Sequence, residues 1–349
     1  MIHHYRQFLE ESVREISARR FVEYDYYYEQ VLKSACRTKG FAEAAGKKRY
    51  LEYLLKGYGV KDWNPACSIP TRMLMGDLFA CKLLELTRST LKENRQRVFH
   101  LTVAFPEDLT GDRNVSISWP KIKKKIASMM RPISPNFLGV GEIDITINEI
   151  NIDGGIHNGR SLAPHFHIVF WTADPIQPDK LSTSLSSKFG GKADGMKVVK
   201  IRRCGDTDAD IVRLASYLFK APGGGKVKWV NKVRNEEGEI LGVQETRFNS
   251  KQSHRSIVFS RVAEILSHSD IRDVIISGRD GLVIKNQMLK VLQETTNLFA
   301  SNAPTNFGHE RTVEFWKMMR KKGWGRKYPR PVVESRIRTS EPAGVLSAE

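Results

Sequence analysis

The spacing of apolar residues along the chain changes twice. From Tyr5 to about Asn94 they recur every three or four positions: at Phe8, Val13 and Ile16, through Val22 to Leu32, at Tyr50 to Leu55 and from Met73 to Leu91. Breaks fall near Gly57-Tyr58-Gly59 and Trp63-Asn64-Pro65. That period puts one face of a helix against a core. The middle of the chain alternates instead, and residues 97–105, 139–150 and 163–171 read as strands, with a helix over Trp119 to Met130 between the first two. An amphipathic helix follows from Asp208 to Lys220, started by Asp206-Thr207-Asp208, with Ile211, Val212, Leu214, Ala215, Leu218 and Phe219 on its apolar face. After Pro222-Gly223-Gly224-Gly225, residues 226–234 and 240–248 flank Asn235-Glu236-Glu237-Gly238-Glu239 as a hairpin. Helical spacing returns from about Ile257. The pattern predicts an α+β fold, an antiparallel sheet with helices on one face, between helical flanks. Its expected divisions are 1–94, 95–256 and 257–349, with a disordered tail from Arg338.

Composition narrows the partners. Among 349 residues, 56 Lys and Arg against 39 Asp and Glu give a net charge of +17, while 40% hydrophobic content is enough for a folded core. Such a surplus favours a polyanion, and nucleic acid is the expected one. Its candidate contacts are Lys121, Lys123, Lys124 and Lys125 on the helix predicted over Trp119 to Met130, Arg213, and the stretch containing Trp316, Arg320, Lys321, Lys322 and Trp324. There, rings interleaved with cations suit stacking on bases and neutralising phosphates. No apolar run approaches a membrane span, and the N-terminal residues run into a charged helical pattern without a signal core, so a cytoplasmic location is expected. Cys36, Cys67, Cys81 and Cys204 lack metal or redox spacing and read as thiols. Gly190-Gly191-Lys192-Ala193 lacks the hydroxyl and spacing of a phosphate loop, which argues against a fused helicase.

Two short motifs carry the chemistry. In Pro164-His165-Phe166-His167-Ile168-Val169-Phe170-Trp171, strand alternation points both imidazoles one way and Phe166, Ile168 and Phe170 the other. Downstream, Tyr217 and Lys220 sit three apart on a helix, with Arg213 one turn earlier. A cation beside a phenol can lower its pKa or hold a phosphate next to it. Two imidazoles alone hold a hard cation poorly, so a carboxylate or third nitrogen is needed. In Gly141-Glu142-Ile143-Asp144-Ile145, the two acids share a face. Asp144 is the first choice, Glu142 the second, and His157, in a glycine-rich stretch eight residues before His165, the third.

His165-Phe166-His167 followed by Tyr217-x-x-Lys220, with the apolar strand Val98-Phe99-His100-Leu101-Thr102-Val103-Ala104-Phe105 upstream, resembles the HUH endonucleases, and specifically the replication initiators of rolling-circle plasmids and phages. The resemblance spans roughly residues 95 to 225 and makes 95–256 the nuclease domain. It implies a ferredoxin-like sheet with both histidines on a central strand, Tyr217 as nucleophile and Lys220 beside it. It also implies Mg²⁺ or Mn²⁺ as cofactor, single-stranded or hairpin origin DNA as substrate, and helicase and polymerase supplied by a bacterial host. Many phage initiators carry a second tyrosine where this chain has Arg213. Single-tyrosine transposases and conjugative relaxases share the chemistry. In relaxases the tyrosines precede the histidines, which would shift the role to Tyr24, Tyr26, Tyr27 or Tyr28. A non-catalytic nucleic-acid-binding protein is the alternative of another class.

Overall fold

The structure is a computed structural model, which describes residues 23–33, 51–52, 54–57, 64–89, 98–104, 110–111, 117–131, 138–152, 156–172, 177–189, 192–193, 196–197, 199–205, 207–222, 224–249 and 256–302. Trp316, Arg320, Lys321, Lys322 and Trp324, and the tail expected to be disordered, lie outside the described residues. The fold is α+β. Strands β1 (Val98–Ala104), β3 (Leu138–Ile152), β4 (Ile156–Trp171) and β7 (Val199–Arg203) form an antiparallel layer in the order β7-β1-β4-β3. Helix α2 (Trp119–Met130) joins the first two strands, and α3 (Pro178–Phe189) precedes the last, giving a strand-helix-strand-strand-helix-strand run.

The sheet is larger than expected, and it is not purely antiparallel. The hairpin of β8 (Gly224–Arg234) and β9 (Ile240–Asn249) adds to the far end of β3, with β8 running parallel to it. The near end of β3 is taken by β10 (Ile275–Gly278), and the short β2 (Thr110–Gly111) pairs with β4. Lys192–Ala193 (β5) and Met196–Lys197 (β6) pair separately.

Alternation sorts the central strands into two faces, and both are buried. Phe99, Leu101, Val103, Ile143, Ile145, Phe166, Ile168 and Phe170 form an apolar face, so burial is not limited to the side where helices were expected. The opposite face carries Val98, Val140, Val169 and Trp171 at one end and the polar residues of the site at the other. On that polar face α4 (Asp208–Leu218) packs against β4 and against α1 (Ile69–Ser89). Later elements join the same core: α5 (Ser256–Ser267), α6 (Ile271–Val274) and α7 (Asp280–Asn302) all reach β3. At the start of α7 a side chain on Gly281 would collide with the Gly139 carbonyl, so glycine permits the helix to lie on the strand. Among the described residues no helix is long and apolar enough to cross a membrane.

Candidate functional site

The register of three strands builds the site. Thr102 of β1 stands opposite His167, and on β3 Glu142 stands opposite His167 and Asp144 opposite His165. Paired residues of an antiparallel ladder share a face, so the two imidazoles meet two carboxylates and a hydroxyl on the polar side. Their outer nitrogens are fixed: His165 Nδ1 lies 3.0 Å from Thr146 Oγ1, and His167 Nδ1 lies 3.1 Å from Thr102 Oγ1. With Nδ1–H donating to the threonine, the Nε2 lone pair of each ring is available to a cation.

Asp144, His165 and His167 place one ligand atom each within 4.8 Å of one another, and this cluster can hold a metal ion. His165 Nε2 lies 3.6 Å from Asp144 Oδ2, while Asp144 Oδ1 accepts the Ile145 N–H at 2.8 Å. Of the three candidates for the last ligand, Asp144 is the one in the cluster. Glu142 instead accepts an ion pair from Arg72 at 2.6 Å, with both side chains fully buried. His157 belongs to β4 rather than to a glycine-rich loop, paired in register with Asn151. Eight residues of strand separate it from His165, roughly 26 Å at the usual rise, which takes it out of the site.

Tyr217 and Lys220 approach the cluster from α4. Thr207 begins this helix with a reciprocal cap: its hydroxyl accepts the Asp210 N–H at 3.1 Å, and the Asp210 carboxylate accepts the Thr207 N–H at 3.3 Å. The helix ends at Leu218, two residues sooner than expected, and Lys220 lies in the closing turn, its N–H donating to the Tyr217 carbonyl. That turn sends the Lys220 ammonium inward. It donates to Asp144 Oδ2 at 2.6 Å, sits 3.3 Å from His167 Nε2, and lies 4.7 Å from the centre of the Tyr217 ring. The Tyr217 ring stands edge-on to His167 at 5.1 Å and to His100 at 5.5 Å. Beside it opens a pocket of about 480 Å³ lined by His100, Thr102, His167, Lys200, Arg202, Arg213, Leu214 and Tyr217.

Charge in the site follows from burial and proximity. Burial alone would raise the Asp144 carboxyl, but Lys220, His165 and Arg72 outweigh it and hold the group down to about 2. Burial pushes the Glu142 carboxyl up while Arg72 pulls against it. Burial, then Lys220 and His165, hold His167 well below the usual histidine range, and burial, Lys220 and Arg202 bring His100 down to about 4. Both rings are neutral at pH 7. Lys220 stays charged because Asp144 and its neighbours outweigh its burial.

The remaining candidates sit elsewhere. Lys123 donates to the Arg272 carbonyl, and Lys121 and Lys124 are exposed; none of the four lysines of α2 lines the pocket, whereas Arg213 does. Tyr24 and Tyr27 are buried in the core, Tyr26 packs edge-on to Phe259, and Tyr28 donates to Glu52. No tyrosine of this group lines the pocket. Four residues of the site were not singled out from the sequence: His100, Thr102, Thr146 and Arg72. Strand parity signals the first three, since each alternates with buried apolar neighbours. Comparisons of the chain with protein-family models, with curated proteins and with solved structures find no match.

Proposed function

We propose that this protein is a tyrosine-dependent DNA strand transferase of the HUH type, acting as a replication initiator on a rolling-circle plasmid or phage in the cytoplasm of a bacterial host. The observation that carries the reading is the approach of Tyr217: its ring stands 5.1 Å from that of His167, under the Lys220 ammonium, on the face that holds Asp144, His165 and His167. The strand order β7-β1-β4-β3 with two crossing helices supports it, because this is the order of a ferredoxin-like layer with the histidine strand inside.

Tyr217 Oη attacks phosphorus, forming an O–P bond as the bond from phosphorus to the 3′ oxygen breaks. The phenol proton is lost and the leaving oxygen gains one, so a 5′-phosphotyrosine and a free 3′-hydroxyl result. A divalent cation held by Asp144, His165 and His167, Mg²⁺ or Mn²⁺, would polarise the phosphate. Lys220 keeps positive charge next to the phenol and the scissile phosphate, where negative charge develops. Thr102 and Thr146 hold the imidazoles in one tautomer. The bond energy is kept in the adduct, so the reverse step rejoins ends after host helicase and polymerase have copied the strand.

The test is incubation with mixed-sequence single-stranded DNA and Mn²⁺, followed by denaturing electrophoresis. A covalent protein–DNA band is expected from the natural chain, and none from Tyr217→Phe or in excess chelator, with DNA binding by Tyr217→Phe nearly unchanged. An adduct of equal yield from Tyr217→Phe would overturn the assignment. Binding with no adduct under any condition would make the chain a non-catalytic nucleic-acid-binding protein.

A further inference from the structure

The pocket beside Tyr217 lies on the side away from Asp144. Its walls come from α4 and from β4, β1 and the edge strand β7, whereas Asp144 is on β3. On β7 the side chains alternate: Val199 and Ile201 are buried, and Lys200 and Arg202 are exposed. Register fixes which way the cations face. Lys200 stands opposite Thr102 and Arg202 opposite His100, and Thr102 stands opposite His167, so both cations share the polar face with the histidines. Two strand spacings, roughly 10 Å, separate them from the His167 strand. Arg213, exposed on α4 one turn before Tyr217, closes the ring of cations from above and makes a 3.4 Å solvent-facing contact to Asp210.

Edge strands often carry charge to prevent pairing with other chains. That accounts for a cation on β7, but not for three cations from two elements around one pocket with no acidic residue among the described residues of its lining. Arginine forks match phosphate oxygens, and Leu214 with the Tyr217 and His100 rings offers an apolar wall for a sugar or base. A volume of about 480 Å³ is in the range that takes a small organic group.

We propose that Lys200, Arg202 and Arg213 form a subsite for one backbone phosphate of single-stranded DNA, next to the phosphate attacked by Tyr217. The location of the attacked phosphate rests on the strand-transfer reading above; the subsite itself rests on the pocket and the register. The strand then crosses the sheet from β3 towards β7, its cut phosphate at the metal-ligating cluster and its neighbour held at the sheet edge.

The probe is fluorescein-labelled oligothymidylate, titrated by anisotropy across a range of salt. Arg202→Ala and Lys200→Ala together should weaken binding several-fold and lower the slope of log affinity against log salt by about 0.7, the value for one neutralised phosphate on a single strand. The charge-matched pair Lys232→Ala and Lys290→Ala, neither of which lines the pocket, should leave the slope nearer to that of the natural chain. Because the three cations share one phosphate, adding Arg213→Ala to Arg202→Ala should cost less than the sum of the single effects. An unchanged slope in the Lys200 and Arg202 variant, or strictly additive losses with Arg213, would overturn the subsite. Adduct formation is followed in parallel. An unchanged slope with normal adduct sinks the subsite and spares the strand-transfer reading. A reduced slope with no adduct from the natural chain does the reverse.

Discussion

Two carboxylates, Glu142 and Asp144, stand two residues apart on one strand, share a face, and each meet a buried cation, yet they are not equivalent. Glu142 pairs with Arg72 from α1 at 2.6 Å, in a contact from which water is excluded on both sides. Asp144 pairs with Lys220 at the same distance, but Lys220 keeps 12% of its surface and two imidazoles lie nearby. Burial acts on both acids to disfavour their charge. Asp144 overcomes it through three positive or polarisable neighbours, and Glu142 has Arg72 working against burial and against the charge of Asp144. A buried acid beside one cation is thus a structural tie. A buried acid held in its charged form, with two imidazoles beside it, can serve as a metal ligand.

Breaking the first pair should have the largest effect. Arg72→Met leaves Glu142 buried without its cation, and a loss of about 3–5 kcal/mol in unfolding free energy is expected by urea titration. Adding Glu142→Leu should recover much of it; a double variant as unstable as the single one would show that Arg72 matters through its packing and its bonds to the Ala66 and Lys220 carbonyls rather than through Glu142. For the second pair the readout is metal. In calorimetric titration with Mn²⁺, Asp144→Asn should weaken binding by more than ~100-fold, while Glu142→Gln changes it only a few-fold. Equal losses would erase the distinction. A smaller effect, about 10–100-fold, is expected from Thr102→Val or Thr146→Val, since the hydroxyls orient ligands without touching the ion.

The smallest effect separates groups inside and outside the site by pH. His100, near the cluster, and His268, remote from it on the chain, are both brought down to about 4, chiefly by burial. Their folded values lie below the unfolded one near 6.5, so the unfolded chain binds more protons between those limits. Stability from both groups is therefore complete above 6.5 and is lost as pH falls towards 4. His268→Gln should flatten that dependence by at most ~1.4 kcal/mol per pH unit and leave Mn²⁺ affinity unaltered. A slope identical to that of the natural chain would mean that His268 titrates normally.

Much of this was legible in the sequence because it is local. Period-two alternation located β1, β3 and β4, and parity paired His165 with His167 and Glu142 with Asp144, while the register of β3 on β4 is what brings the two pairs onto one face. The helix over Trp119–Met130 and the hairpin were marked by a proline-bearing start and a glycine turn. Choosing Asp144 over Glu142 was a ranking only, since parity treats them alike. What decides between them is Arg72, a cation in the first turn of α1, just ahead of the apolar run from Met73. Nothing local reveals that it is taken up by a residue 70 positions later. The same limit hid Lys200 and Arg202, whose strand is five residues long and whose meaning depends on lying two strands from His167. The α2 lysines were legible as charge, but charge alone does not say which face of the molecule it serves.

The end of the Tyr217 helix is held by the N-terminal part of the chain. The Tyr24 hydroxyl donates to the Phe219 carbonyl, and Arg72 Nη1 donates to the Lys220 carbonyl at 3.1 Å, satisfying acceptors that a helix terminus leaves open. These two bonds span 195 and 148 residues of sequence. Contacts of such separation form late, because the entropy of closing the intervening loop is lost before the contact repays it. During synthesis the N-terminal helices leave the ribosome well before their partner carbonyls exist. The Tyr217 phenol is accordingly among the last groups to be fixed, and a chain stopped partway through folding would display its basic strands while that side chain remained unset.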